Sequence, residues 1–292
     1  MHQICRECTF NKNINRYPEG ADSVKVAEYQ ERLCALLEAK ADEWKTPEMG
    51  YNIKLLRKEI FHETEKDFTD IKRHYNALML AYEDKLAEQV RRFPDPLAAA
   101  IRFAMAGNYV DFAALPDVNE EQLWALLGEA DNTGLDMQIY KEFAGETAKA
   151  RKLTYLTDNC GEIVIDKVLI GELKRRNPNL EVTVMVRGLP MAADAVVEDA
   201  LQVGMDSLGT VLGNGSPMDG TILSAISGEE LDTLNHADVV ISKGQANYEA
   251  LAGCGLNIFY LFICKCALFM ERFKVPKFGG ILTREDRTAQ YI

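Results

Sequence analysis

The rhythm of apolar and polar positions changes near residue 151. Before it, apolar residues recur at helical spacing. In "SVKVAEYQERLCALLEAKADEW", Val26, Tyr29, Leu33, Leu36 and Leu37 share one helical face, and Ser23 suits the start as a cap. "YNIKLLRKEIFHETEKDF" and "DIKRHYNALMLAYEDKLAEQVRRF" repeat the pattern. Pro94 and Pro96 interrupt it before "LAAAIRFAMAGN" resumes. Residues 1–150 therefore read as an all-helical bundle or cap domain.

From residue 151 to 292 the chain alternates differently. "KLTYLTD", "EVTVMVRG", "DSLGTVLGNG", "ADVVISKG" and "LNIFYLFI" are short apolar runs that end in polar residues or glycine. Helical stretches such as "EIVIDKVLIGELKRR" and "AADAVVEDALQVG" lie between several of them. Strands alternating with helices predict an α/β domain with a parallel sheet covered on both faces. Ligands of such sheets bind beyond the carboxyl ends of the strands, so the chemistry is sought in the residues immediately after each strand.

Composition narrows the classes. The 292 residues are 47% hydrophobic and 27% charged, ordinary for globular domains, and the length suits roughly two of them. No apolar run approaches the roughly 20 residues a membrane helix needs, and the N-terminus has no apolar signal core, so a cytoplasmic protein without a membrane partner is expected. A net charge of −12 argues against nucleic acid, which needs a basic face. It leaves an anionic small substrate open, because a bound divalent cation reverses the local sign. The seven cysteines are an odd and scattered set, which suits reduced thiols. Cys5 and Cys8 form the CxxC; they read as a metal or redox pair or as two reduced thiols near a chain end.

The strand ends carry the candidate chemistry. The first run ends in Asp158-Asn159, with Gly161-Glu162 opening a helix; the second is followed by Arg187 and Asp194. The third brings Asn214 and Ser216, and the fourth Ser242, Lys243, Gln245 and Asn247. Oxygen ligands of this kind suit a hard divalent cation, and a lysine suits a phosphate. Open amides at the helix start near Glu162 would also favour an anion. Each feature has a plainer reading: Asp158 and Asn159 as helix caps, Asp194 as a helix start, Lys243 as a solvated loop charge. Asp166, Glu198 and Asp199 read as exposed helical charges.

Two familiar chemistries fail on spacing. Haloacid-dehalogenase phosphatases place a second acid two residues after the strand-end acid, where Cys160 stands here. A dinucleotide or S-adenosylmethionine fold prefers GxGxxG after its first strand, and "GNGSPMDG" has the wrong spacing and comes late.

Taken in order, "LTDNCGEIVIDKVLI", "VRGLPMAADAVVEDA", "VLGNGSPMDGT", "DVVISKGQANYEAL" and "CKCA" resemble the metal-dependent damage-control phosphatases, a former domain of unknown function that includes acidic-residue-methyltransferase-like proteins. "GNYVDF" at 107–112 looks like the family's Gly-Asn-x-x-Asp element, and "CREC" is similar to the CxxC of its prokaryotic branch. The resemblance implies a helical domain joined to a three-layer α/β/α, Rossmann-like domain, with the site between them. It implies phosphomonoester hydrolysis on small metabolites, such as sugar phosphates or damaged phosphometabolites. It maps divalent-metal ligands (Mg, Mn, Co or Ni) onto Asp158, Asn159 and Asp194, and the phosphate-side lysine onto Lys243. Asn108 and Asp111 fall on the element facing the cleft.

The expected reaction is attack of a metal-activated water on phosphorus, with Asp158, Lys243 and Glu162 as catalytic candidates. Asn108, Asp111, Ser216 and Gln245 are the candidates to meet the substrate. Two alternatives compete: an S-adenosylmethionine-dependent carboxyl methyltransferase, and a non-enzymatic metal- or redox-responsive binding protein acting through Cys5 and Cys8. Substrate, preferred metal and oligomeric state are not readable from the sequence.

Overall fold

The structure is a computed structural model that describes residues 1–64, 66–109, 121, 125, 127, 128, 135–226 and 228–290. It contains two compact units, Met1–Asp67 and Phe68–Tyr291. The first unit is helical: α1 (Gln3–Asn13), α2 (Ser23–Lys40) and α3 (Thr46–Phe61) pack around Tyr29, Leu33, Leu37, Met49, Ile53 and Ile60. The cap of α2 is Asp22, not Ser23. Its carboxylate accepts the N–H groups of Val24 and Lys25, satisfying amides that the first helical turn leaves unpaired.

The second unit holds a six-stranded sheet in the order β3-β2-β1-β4-β5-β6. Strands β1 (Lys152–Leu156), β2 (Glu181–Val186), β3 (Thr210–Gly213), β4 (Val239–Lys243) and β5 (Ile258–Ile263) are parallel. The five predicted strands all form. An additional strand, β6 (Gly280–Arg284), runs antiparallel beside β5. The order reverses between β1 and β4, and that switch point is where a doubly wound sheet opens a crevice.

The change of texture at residue 151 marks the first strand, whereas the compact units divide at 67/68. Helices α4 (Thr69–Leu80), α5 (Glu83–Arg92), α6 (Pro96–Gly107) and α7 (Met137–Thr147) bury apolar side chains in the core of the sheet. The predicted boundary at 150/151 therefore separates two textures of sequence that share one core. The Pro pair works as a helix start: Pro96 is the first residue of α6, and Asp95 caps it through the Ala98 N–H.

Helix α8 (Glu162–Arg176) follows β1 and is enclosed on several sides, packing against α4, α5 and α6 as well as the core of the sheet. The approach of α6 is close: a Cβ added at Gly107 would lie 2.7 Å from Cδ1 of Ile165. This packing buries Asp166, which the sequence reads as a surface charge, and places Asn108 at the end of α6 beside Glu162. Asp199, on α9 (Val197–Gln202), is also buried, paired with Lys72 of α4 and accepting the Val196 N–H, while Glu198 is exposed as expected. Helices α10 (Glu229–Asn235), α11 (Gln245–Leu251) and α12 (Ala267–Phe273) also belong to the unit.

Candidate active site at the sheet switch point

The carboxyl ends of β1 and β4 deliver Asp158-Asn159 and Lys243-Gly244 to one place. Beyond β1 the chain continues beside the segment after β2. Asn159 and Asp194 form an isolated antiparallel bridge, with Ala195 N–H donating to the Asp158 carbonyl and Cys160 N–H to that of Ala193. Asp194 thus sits in a turn two residues after Ala192, whose φ of 41° is left-handed, and α9 begins only at Val197. Neither Asp158 nor Asp194 acts as a helix cap: Gly161 holds that position for α8 and Val196 for α9.

Arg187, at the end of β2, ties the two acids together. Its Nε donates to Oδ2 of Asp194, Nη2 to Oδ1 of Asp158 at 3.4 Å, and Nη1 to Oδ1 of Asn247 at 3.1 Å. Asn247 is anchored in turn by Thr221 and by the carbonyls of Thr157 and Lys243. On the other side, Nδ2 of Asn108 donates to Oδ2 of Asp158 at 2.9 Å and to Oε2 of Glu162 at 2.9 Å. Nδ2 of Asn159 donates to the same two oxygens, at 2.9 and 3.0 Å.

Lys243 is fully buried. It leaves β4 on the face shared by Tyr155 and Ile241, the face α8 covers, and so meets Glu162 and Asp166 one helical turn apart. Its Nζ lies 2.6 Å from Oε1 of Glu162 and 2.5 Å from Oδ1 of Asp166, which also accepts the Tyr155 hydroxyl at 2.8 Å. A solvated loop charge is therefore ruled out for this lysine.

Three amides leading into α8 are occupied. Asn159 N–H faces Glu162, Cys160 N–H the Ala193 carbonyl, and Gly161 N–H the side chain of Asn76. Ser216 closes a turn, its N–H on Asn214 and its hydroxyl on the Met218 N–H. Gln245, half-buried at the start of α11, meets Glu249, Cys266 and the Lys265 N–H. Asp111 lies outside the described residues. Arg187 and Asn247, noted in the sequence at strand ends but given no role there, are central to the arrangement.

The electrostatics are those of crowded acids. Burial raises the Asp158 carboxyl well above its ordinary range, and the neighbouring charges of Asp194 and Glu162 add to it, with Arg187 and Lys265 opposing. Burial also lifts Asp166, to about 7, against the pull of Lys243. For Lys243 itself, burial disfavours the ammonium, but Asp166 and Glu162 outweigh it and hold the proton more tightly than usual. Four buried carboxylates, those of Asp158, Glu162, Asp166 and Asp194, face two buried cations, Arg187 and Lys243. The formal excess is two negative charges, the charge of one divalent cation.

Asp158, Asn159 and Asp194 fit such a cation: two carboxylates and an amide, side by side, with oxygens suited to a hard metal. Among the described residues, no group of three or more His, Cys, Asp or Glu is spaced to hold a metal, and this set uses only two acids with the amide as third donor. The CxxC pair lies on α1, with Cys5 half-buried and Cys8 exposed; none of the seven cysteines is in a disulfide. No helix among the described residues is long and apolar enough to cross a membrane.

A doubly wound sheet with acids, amides and cations at its switch point defines a class of small-ligand α/β proteins. The family model of the damage-control phosphatase ARMT1-like domain matches residues 1–279, and the chain belongs to that family. It is 32% identical over 219 residues to the damage-control phosphatase PH1575 of Pyrococcus horikoshii, covering 71% of this chain and 74% of that protein. A damage-control phosphatase of Archaeoglobus fulgidus is 33% identical over 208 residues, 69% of this chain and 70% of its own. The crystal structure of PH1575, described as a DUF89 family protein, superposes with a TM-score of 0.74 at 26% identity, over 98% of this chain and 99% of that one.

Proposed function

We propose that the protein is a metal-dependent phosphatase that hydrolyses phosphomonoesters of small metabolites; two relatives bear the name damage-control phosphatase. The observation that carries the reading is the buried site at the β1/β4 switch point, where acids outnumber cations by two formal charges beside an Asp-Asn-Asp set. Asp158, Asn159 and Asp194 would hold the divalent cation, of which Mg, Mn, Co and Ni are all compatible with oxygen donors. When bound, such an ion offsets charge on the phosphoryl group and makes a water more acidic.

The chain's own residues do the rest. Arg187 keeps the two acids apart at a fixed distance and limits their repulsion. Asn108 and Glu162 fix the orientation of the Asp158 carboxylate and the Asn159 amide. Lys265, half-buried after β5, contributes positive charge at Asp158 and so favours an anionic ligand there.

A screen of sugar phosphates, nucleotides and phosphorylated cofactors with each of the four metals tests the reading. Activity is expected with metal and is expected to vanish in chelator and in Asp158→Ala and Asp194→Ala. Full activity in any of those three conditions would sink it.

A further inference from the structure

We infer that Lys243 is a positioning residue that acts on the metal-ligand set through Glu162, rather than a contact to the phosphate. The inference rests on the phosphatase reading above. Lys243 has no exposed surface, and two buried carboxylates already accept from its ammonium. Asp166, the second of them, is held by the Tyr155 hydroxyl. A buried ammonium locked in this way is a fixed strut, and reaching a phosphate would mean abandoning two desolvated acids.

The strut transmits through Glu162. Its Oε1 takes Lys243, while its Oε2 accepts Nδ2 of both Asn108 and Asn159. Those two nitrogens also meet Oδ2 of Asp158. The nitrogen of the Asn159 carboxamide is thereby committed to the acids, and its oxygen is turned to the opposite side. Without the ammonium, Glu162 becomes an uncompensated buried acid near Asp158 and loses the contact that fixes its carboxylate. The acceptor that orients Asn159 is then no longer held in place.

Electrostatics and orientation predict opposite signs, which makes the inference testable. Removing one positive charge near an acidic site should by itself strengthen cation binding. Loss of ligand orientation should weaken it, by about 10- to 100-fold for partners of this kind. The full chain is prepared as wild type and as Lys243→Met. Mn²⁺ affinity is read by electron paramagnetic resonance of free Mn²⁺, and the Kd of inorganic phosphate by calorimetry at saturating Mn²⁺.

The expected result is Mn²⁺ binding weakened at least about tenfold, with the phosphate Kd of the Mn²⁺-loaded protein unchanged within about twofold. Unchanged Mn²⁺ binding, or a phosphate Kd raised tenfold at saturating Mn²⁺, would overturn the inference while leaving the phosphatase reading intact. Wild-type protein that binds no Mn²⁺ would overturn the phosphatase reading and this inference with it.

Should Lys243→Met not fold, Tyr155→Phe and the charge-neutral pair Lys243→Met/Asp166→Asn carry the same test. Tyr155 touches only Asp166 in this network, so weaker Mn²⁺ binding in Tyr155→Phe supports the strut. Wild-type Mn²⁺ affinity in both variants would refute it.

Discussion

The Asp158 carboxylate lies flat against the backbone of Gly244: a Cβ added there would stand 2.2 Å from Oδ2 and 2.3 Å from Cγ of Asp158. Gly244 also has a φ of 83°, so the residue after Lys243 must lack a side chain for two independent reasons. The end of β4 therefore shapes the site twice, through the lysine and through the space beside it. Gly244→Ala is expected to displace Asp158, weaken Mn²⁺ binding at least about tenfold and destabilise the fold by about 1–3 kcal/mol. Urea denaturation and Mn²⁺ titration of the same sample check both parts; wild-type values in either would contradict the contact.

Asn108 supplies one amide to both Asp158 and Glu162, and its carbonyl accepts the Ile263 N–H. Asn108→Ala should lower kcat at saturating metal and raise the metal concentration needed for half activation by about 10- to 100-fold. A metal titration of phosphatase activity reads this directly. A change confined to substrate KM would point instead to direct substrate contact.

Asp166 carries its proton up to about pH 7 in the folded protein, against an ordinary carboxylate value near 4 in the unfolded chain. Between about pH 4 and 7 the folded state thus binds a proton that the unfolded state has released, and this group's contribution to stability falls as pH rises across that window. Asp166→Asn should flatten the decline in metal-free protein. Urea midpoints at pH 5 and 8 check it; an equal decline in variant and wild type would refute the assignment.

Asp238 has the opposite sign. Its carboxylate accepts the N–H groups of Arg151 and Lys152, joining the start of β1 to the approach to β4, and these bonds hold its proton affinity below the ordinary value. Its stabilisation is present above about pH 4 and is lost as pH falls through the folded-state value. Asp238→Ala should therefore lower the melting temperature at pH 7, and the gap from wild type should narrow toward pH 3. A gap independent of pH would disprove the role.

Much of the fold was legible in the sequence because it depends on local pattern. Short apolar runs ending in polar residues announced the five parallel strands, and "EIVIDKVLIGELKRR" coincides with α8. The antiparallel β6 escaped because its placement depends on pairing with β5, and "GGILTR" has little apolar run of its own. The boundary at 150/151 has the same origin: texture reports local structure, but which helices share a core is decided by distant contacts.

At the site, chain order alone brought out Asp158, Asn159, Asp194, Glu162 and Lys243, since each follows or opens an element at the carboxyl edge. Only the tertiary structure decided their relations. Helix α8 is enclosed by other helices as well as by the sheet, and this turned Asp166 from an apparent surface charge into a partner of Lys243. The same packing gave partners to the amides of residues 159–161, just before the helix, and drew Arg187 between two acids. The sequence determined which charged groups arrive at the switch point. Desolvation, which depends on everything packed around them, decided which of them must pair with one another.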